Sequence, residues 1–159
     1  MDGYGQKMST IIRSAAKGFL AGALATAPMS AAFALAQLIG TIGELPPHKA
    51  IRAISPQLRE AQRTRVAAAA HVLVGAAAGT AYGAVVPRPA RGTLSGIAGG
   101  LTVWLIGYQV VMPAVTGMPR AQHDDRRRAV TILLAHVVYG AALGSMAGIR
   151  RRKPPLLRH

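Results

Sequence analysis

The sequence predicts an all-α membrane protein of four transmembrane helices, built as a tandem repeat of two helical hairpins. Three observations predict it. Four stretches without a charged residue, each about 21 to 26 residues long, suffice to cross a hydrocarbon core of about 30 Å at about 1.5 Å per residue. Hydrophobic residues make up 51% of the chain, yet nearly every Lys and Arg lies between or beyond those stretches. Finally, His71-x-x-x-Gly75-x-x-x-Gly79-x-x-x-Gly83 in one stretch is matched by His136-x-x-x-Gly140-x-x-x-Gly144-x-x-x-Gly148 in another. Residues four apart stack on one helix face, so each track sets a histidine at the head of a row of glycines. Three glycines would weaken a soluble helix by roughly 1 kcal/mol each relative to alanine. A membrane helix uses them to let a neighbouring backbone come close.

The net charge of +14 raises the question of nucleic acid. Basic flanks of membrane helices explain it instead, and no aromatic-basic interleaving of an RNA-binding sheet is present. The partner expected is therefore the lipid bilayer and not nucleic acid. Small-residue tracks left facing lipid would add a homo-oligomer. With no cysteine, disulfides and thiolate chemistry are excluded.

In chain order, residues 1–17 read as a polar, basic N-terminal segment with Lys7, Arg13 and Lys17. The first membrane helix is expected over 18–43. A signal peptide is the rival there, with Ala34-Leu35-Ala36 as a cleavage site. The small-residue stripe Gly18, Gly22, Thr26, Ser30 and Ala34 favours a retained helix, kinked at Pro28. Between Pro46-Pro47 and Ser55-Pro56, the face formed by Ile51, Ile54 and Leu58 suggests a short helix on the membrane surface, with a solvated loop as the alternative. The second helix is expected over 66–86, ended by Pro87 and Pro89, and the third over 94–115, ended by Gly117 and Pro119. Asp124 and Asp125 beside Arg126, Arg127 and Arg128 read as a solvated ion-pair cluster, since no third metal ligand accompanies them. The fourth helix is expected over 129–149, followed by a basic tail over 150–159. Positive charges divide almost evenly between the two sides, and Arg150-Arg151-Arg152-Lys153 tips the orientation to termini inside.

An internal repeat underlies the hairpins. Ala70-His71-Val72-x-x-Gly75-Ala76-Ala77-x-Gly79 and Ala135-His136-Val137-x-x-Gly140-Ala141-Ala142-x-Gly144 are identical at seven of ten positions. Gly18-x-Leu20-Ala21-Gly22 has a weaker echo in Gly92-x-Leu94-Ser95-Gly96. Helices one and two then match three and four, as a parallel repeat about an axis along the membrane normal.

Several of these residues carry a family likeness. They are Leu45-Pro46-Pro47-x-x-x-Ile51, the His71 track with Tyr82, Trp104-x-x-x-Tyr108-x-x-x-x-Pro113, Arg128, and His136-x-x-Tyr139-Gly140-x-x-Leu143-Gly144. With them the chain resembles the YagU-like inner-membrane proteins of bacteria, a group of unknown function. The resemblance implies a multi-pass protein of the bacterial inner membrane and a helical bundle. It brings no substrate, cofactor or catalytic residue.

One constellation has chemical potential. His71 and His136 lie roughly 8–10 Å below the side with the two long connections, at about 1.5 Å per residue. Gln37, Tyr108 and Gln109 fall at similar depth from the same side. Those five residues form a candidate intramembrane polar layer, while Gly75, Gly79, Gly83, Gly140, Gly144 and Gly148 are the expected helix-packing positions. Neutral His, Gln and Tyr can fix packing by interhelical hydrogen bonds of about 1 kcal/mol each. Histidine also serves membrane proton relays. A pair of histidines with glycine four residues away could instead flank a haem. Two such ligands are too few for a structural zinc site, so no metal is expected. Catalytic residues are not expected either, because the membrane segments hold no carboxylate, no serine-histidine pairing and no phosphate loop. The reading that asks least of these groups is a non-enzymatic structural or stress-related inner-membrane component with no cofactor. A proton-linked small-solute carrier and a haem-binding membrane protein remain the alternatives.

Overall fold

The computed structural model describes residues 2–148, and the fourth helix's expected last residue and the 150–159 tail lie outside them. The described chain is helical, with no strand. Four of its helical segments are long and apolar enough to cross a membrane: Tyr4–Leu38, Glu60–Val85, Thr93–Thr116 and Arg126–Gly148. Their outward faces carry large apolar side chains such as Leu20, Leu24, Leu73, Leu94 and Leu134, as lipid-facing surfaces require.

Helix α1 runs over Asp2–Leu38, so the segment expected to be a polar, basic N-terminal stretch is its first four turns. Nothing between Asp2 and Gly18 stops a helix, because the stretch lacks proline. The far end comes earlier than Gly43. Gly40 adopts a left-handed conformation (φ 70°), and the Thr41 N–H returns to the Ala36 carbonyl at 2.9 Å, closing the last turn. The helix continues through Pro28. Its stripe of small residues does not stay buried, however. An α-helix turns every 3.6 residues, so positions repeating every four drift around it. Gly22 and Thr26 are buried, whereas Ser30 and Ala34 face outward, and Ala25, Met29, Phe33 and Ala36 take over the inner face.

Helix α2 (Pro46–Ile54) is the short helix expected between the prolines, with Pro46 and Pro47 at its start where no N–H is needed. It lies against α3 (Glu60–Val85) and the end of the third span. Helix α3 begins a turn and a half before the expected Val66, because the Gln62 side chain accepts the Arg59 N–H at 3.1 Å and closes its first turn. At its other end Arg91 donates to the carbonyls of Gly83 (2.6 Å) and Val86 (2.9 Å), satisfying acceptors that the helix leaves open.

The third span is α4 (Thr93–Ile106), one wide π turn (Gly107–Val111) and α5 (Met112–Thr116). The π turn stands immediately before Pro113, whose ring would meet the Gln109 carbonyl in a regular α-helix. Gly117, left-handed at φ 67°, ends the span, its N–H 3.0 Å from the Pro113 carbonyl. Helix α6 (Arg126–Gly148) starts three residues before the expected Ala129, capped by Asp125, whose carboxylate accepts the Arg128 N–H at 3.0 Å.

The helices associate as α1 with α3 and α4 with α6, and the two pairs meet mainly through α1 and α6. Within each pair, backbone lies on backbone. A Cβ added at Gly22 would stand 2.8 Å from the Gly79 Cα, and one at Gly79 would stand 2.7 Å from the Gly22 Cα. In the other pair, a Cβ at Gly144 would be 2.9 Å from the Gly96 Cα, and one at Gly140 would be 2.8 Å from the Ile97 Cα. Gly75 faces Thr26 and Gly22, Gly83 faces Ser14 and Gly18, and Gly148 faces Arg91. All these neighbours except the Thr26 methyl are backbone, which cannot swing aside as a long side chain can.

The contacts set a clear expectation. Gly79→Leu or Gly144→Leu must push the paired helices apart and should lower the melting temperature of detergent-solubilised protein sharply. Gly107→Ala, where an added Cβ meets nothing within 4 Å, should melt with the wild type. A leucine variant melting like the wild type would show that the tracks do not close the hairpins.

Candidate functional site

The glycine contacts occupy the half of the bundle nearer the Val86–Gly92 turn. In the other half the inward residues include the large side chains of Met29, Phe33, Tyr108, Met112 and Ile132. Large side chains hold the helices apart, and between them lies a cavity of about 230 Å³. His71, His136, Tyr108 and Tyr139 line it together with those apolar groups. Across its mouth lies α2, which contributes Pro46, Pro47, Ala50 and Ile51. Helices α1, α3, α4 and α6 thus build the walls and α2 the roof.

Each polar group on the wall is held differently. His136 Nδ1 lies 2.8 Å from the Ile132 carbonyl one turn earlier. A carbonyl can only accept, so in the neutral ring Nδ1 carries the hydrogen and Nε2 keeps its lone pair. The His71 ring packs edge-on to Phe33 at 6.3 Å between centroids, and its buried Nε2 has no hydrogen-bond partner. Tyr139 donates its hydroxyl to the Gly75 carbonyl at 2.7 Å, tying α6 to α3. That carbonyl belongs to a helix and has a lone pair to spare.

Tyr108 reaches out of the cavity instead. It sits on the π turn, and its hydroxyl donates to the carboxylate of Asp124 in the loop before α6. Asp124 also forms an ion pair with the Arg128 guanidinium, 3.5 Å away and without a hydrogen bond, and accepts the Asp125 N–H at 2.8 Å. Its side chain is only 6% exposed. A carboxylate so placed requires several partners, and it has them. The expected solvated cluster of Asp124 and Asp125 with the arginines is therefore two separate devices. Asp125 caps a helix at the surface, and Asp124 is a buried anchor for a residue of the cavity wall.

Of the five residues expected in one polar layer, the structure brings together His71, His136 and Tyr108. Gln37 and Gln109 are not with them. Because α1 ends at Leu38, Gln37 falls in its last turn, is exposed, and donates to the Gly43 carbonyl at 3.0 Å. The wide turn carries Gln109 to the outer side, where its carbonyl oxygen accepts the Ala121 N–H at 3.2 Å. Two residues of this region are missing from the expected layer. Tyr139 is findable in the sequence, because it follows His136 by three and so shares its helix face. Asp124 is not, since nothing local links it to Tyr108 sixteen residues earlier.

The geometry also speaks to the two ligand alternatives. Haem would need the space opposite Gly75 and Gly140, but Thr26 and Gly22 fill the first, and Gly96 and Ile97 the second. Among the described residues no group of three His, Cys, Asp or Glu side chains converges as a metal site.

Comparison with known proteins places the chain in a family. The model of a family of unknown function (DUF6789) matches residues 12–157, so the chain belongs to that family. No curated protein and no solved structure matches it. It is thus a small membrane protein of a family to which no activity is attached.

The Tyr108–Asp124 bond is testable by stability. Tyr108→Phe removes a hydrogen bond to a charged acceptor and should cost about 1.5–3 kcal/mol. Combined with Asp124→Asn, the two losses should not add, because both act on one bond. Strict additivity in denaturation of the detergent-solubilised protein would mean that the bond does not anchor the π turn.

Proposed function

We propose that this family member is a non-enzymatic protein of the bacterial inner membrane that holds a small, mainly apolar molecule between its two hairpins. The supporting observation is the half-open apolar cavity of about 230 Å³, into which His71 and His136 bring ring nitrogens not used to join helices. A dry engineered cavity of about 150 Å³ takes benzene, so this one suits a molecule modestly larger than a single aromatic ring. His136 Nε2 offers a lone pair to a donor on that molecule, and His71 Nε2 stands without a partner. Both tyrosine hydroxyls on the wall are already engaged, so the polarity offered to a guest is mainly that of the two histidines.

An enzyme is disfavoured on the same grounds. Among the described residues the hydroxyls that share the cavity with the histidines are bonded elsewhere, and the Asp124 carboxylate is committed to Tyr108 and Arg128. The inner-membrane location follows the likeness carried by the Leu45-Pro46-Pro47 and histidine-glycine motifs. We also read the two hairpins as copies of one unit, since both close through glycine tracks headed by a histidine. A proton-linked carrier is the active form of this reading. In it α2 must move off the mouth, and the histidines must pass protons with the guest.

A structural bundle without a guest is the second reading, favoured by the buried Tyr139–Gly75 bond, which fixes the hairpins together. Indole, a two-ring molecule with one N–H donor, separates the two. Saturation-transfer NMR on the protein in nanodiscs should show saturable indole binding beyond that of empty nanodiscs. His136→Leu should weaken it about five- to tenfold, the equivalent of a hydrogen bond of about 1 kcal/mol. Ala70→Phe, which fills the chamber, should abolish binding while melting remains cooperative. Signals equal to empty nanodiscs would leave the structural reading. Histidine-dependent proton flux in proteoliposomes would identify the carrier form.

A further inference from the structure

A second recess of about 530 Å³ opens on the outer side of the bundle between α4 and α6. Trp104 and Leu133 line its deep end, Ala129 and Val130 its middle, and Gln122 and Arg126 its upper end. From Arg126 to Leu133 the recess descends about 10 Å along α6, at about 1.5 Å per residue. Its rim is exposed and apolar, with Val130 44% and Leu134 56% accessible, so it faces the surrounding lipid.

The upper end is arranged against the ordinary preference of a helix. The N-terminus of α6 carries the positive pole of its macrodipole, and anionic side chains belong there. Instead its first three residues are Arg126, Arg127 and Arg128, with no acidic residue in the first turn. Asp125 caps this end and Asp124 holds Arg128, but among the described residues Arg126 and Arg127 form no ion pair. The Asp124 carboxylate also borders the recess and would repel an anion. Its charge is met by Tyr108, Arg128 and the Asp125 N–H, so the excess at this corner is positive.

We propose that this recess binds an anionic phospholipid, one acyl chain lying along Val130 and Leu133 against Trp104 and the phosphate seated at Arg126 and Gln122. The occupant is a lipid and not a free phosphate, because the basic end alone is exposed to water while the apolar remainder needs a chain to cover it. Headgroup and helix pole then offset one another, which accounts for Arg126 at the start of α6. The proposal is independent of the inner cavity, which lies on the other side of Tyr108.

Delipidated protein reconstituted with equal phosphatidylglycerol and phosphatidylcholine, then released into native mass spectrometry, tests this. One phosphatidylglycerol per chain should be retained in preference to phosphatidylcholine. Arg126→Gln should reduce that preference about fivefold, the effect of one arginine near an anionic headgroup. Leu133→Trp should reduce retention by filling the deep end, while Arg13→Gln, an equal loss of charge on α1, should leave it unchanged. Equal retention of the two lipids would overturn the proposal. So would an equal effect of Arg13→Gln and Arg126→Gln, or full displacement by glycerol phosphate, which has the headgroup without a chain.

Discussion

Contact of backbone with backbone at the glycines is the constraint on which the other features depend. In lipid, helices gain little from hiding apolar surface, since the solvent is itself apolar, and association rests on close packing. Gly22 against Gly79 and Gly96 against Gly144 provide it. Dispersion falls steeply with distance, so a gap of even 1 Å forfeits a quarter to a half of each contact. Every glycine in the tracks is therefore committed, and the helices can be drawn together only where those residues stand.

This commitment makes the bundle unequal along the membrane normal. The end near the Val86–Gly92 turn is closed by glycine, and the opposite end is propped open by Met29, Phe33, Tyr108 and Met112. The chamber lies where the close glycine contacts give out. The role of α2 follows, since an open end at the membrane surface must be covered or filled. The π turn completes the arrangement. It aims Tyr108 inward while passing its hydroxyl to Asp124, so a loop charge fixes one wall of an apolar chamber.

Much of this is legible in the sequence, for physical reasons that differ by residue. Four charge-free stretches identify membrane helices because charges are costly in hydrocarbon, and α2 is readable from its prolines and apolar face. Glycine tracks are readable because their spacing has few other uses. His71, His136 and Tyr108 can be placed by counting residues from helix ends. Gln37 cannot, because the count runs the helix to Gly43 and passes over the stop signal at Gly40. Gln109 is misplaced because it adjoins Tyr108, and neighbours on a helix point about 100° apart, so the two cannot face inward together. Asp124 is hidden by its surroundings. Beside three arginines it reads as solvated, and only the tertiary fold shows which of two adjacent carboxylates is drawn inside.

The division of contacts also bears on how the protein is made. The closest glycine contacts, Gly22 on Gly79 and Gly96 on Gly144, each join helices that lie on the same side of the Val86–Gly92 turn in the chain. The first hairpin therefore holds the partners of its backbone-on-backbone contacts once residue 85 has been synthesised, before any of α4 exists. The second is likewise complete by residue 148. The two pairs then meet along α1 and α6, with Tyr139 on Gly75 and Tyr82 on Ser95 adding hydrogen bonds between them. The seven-residue turn is the one covalent tie between them. A gene severed there would leave one histidine of the chamber on each half.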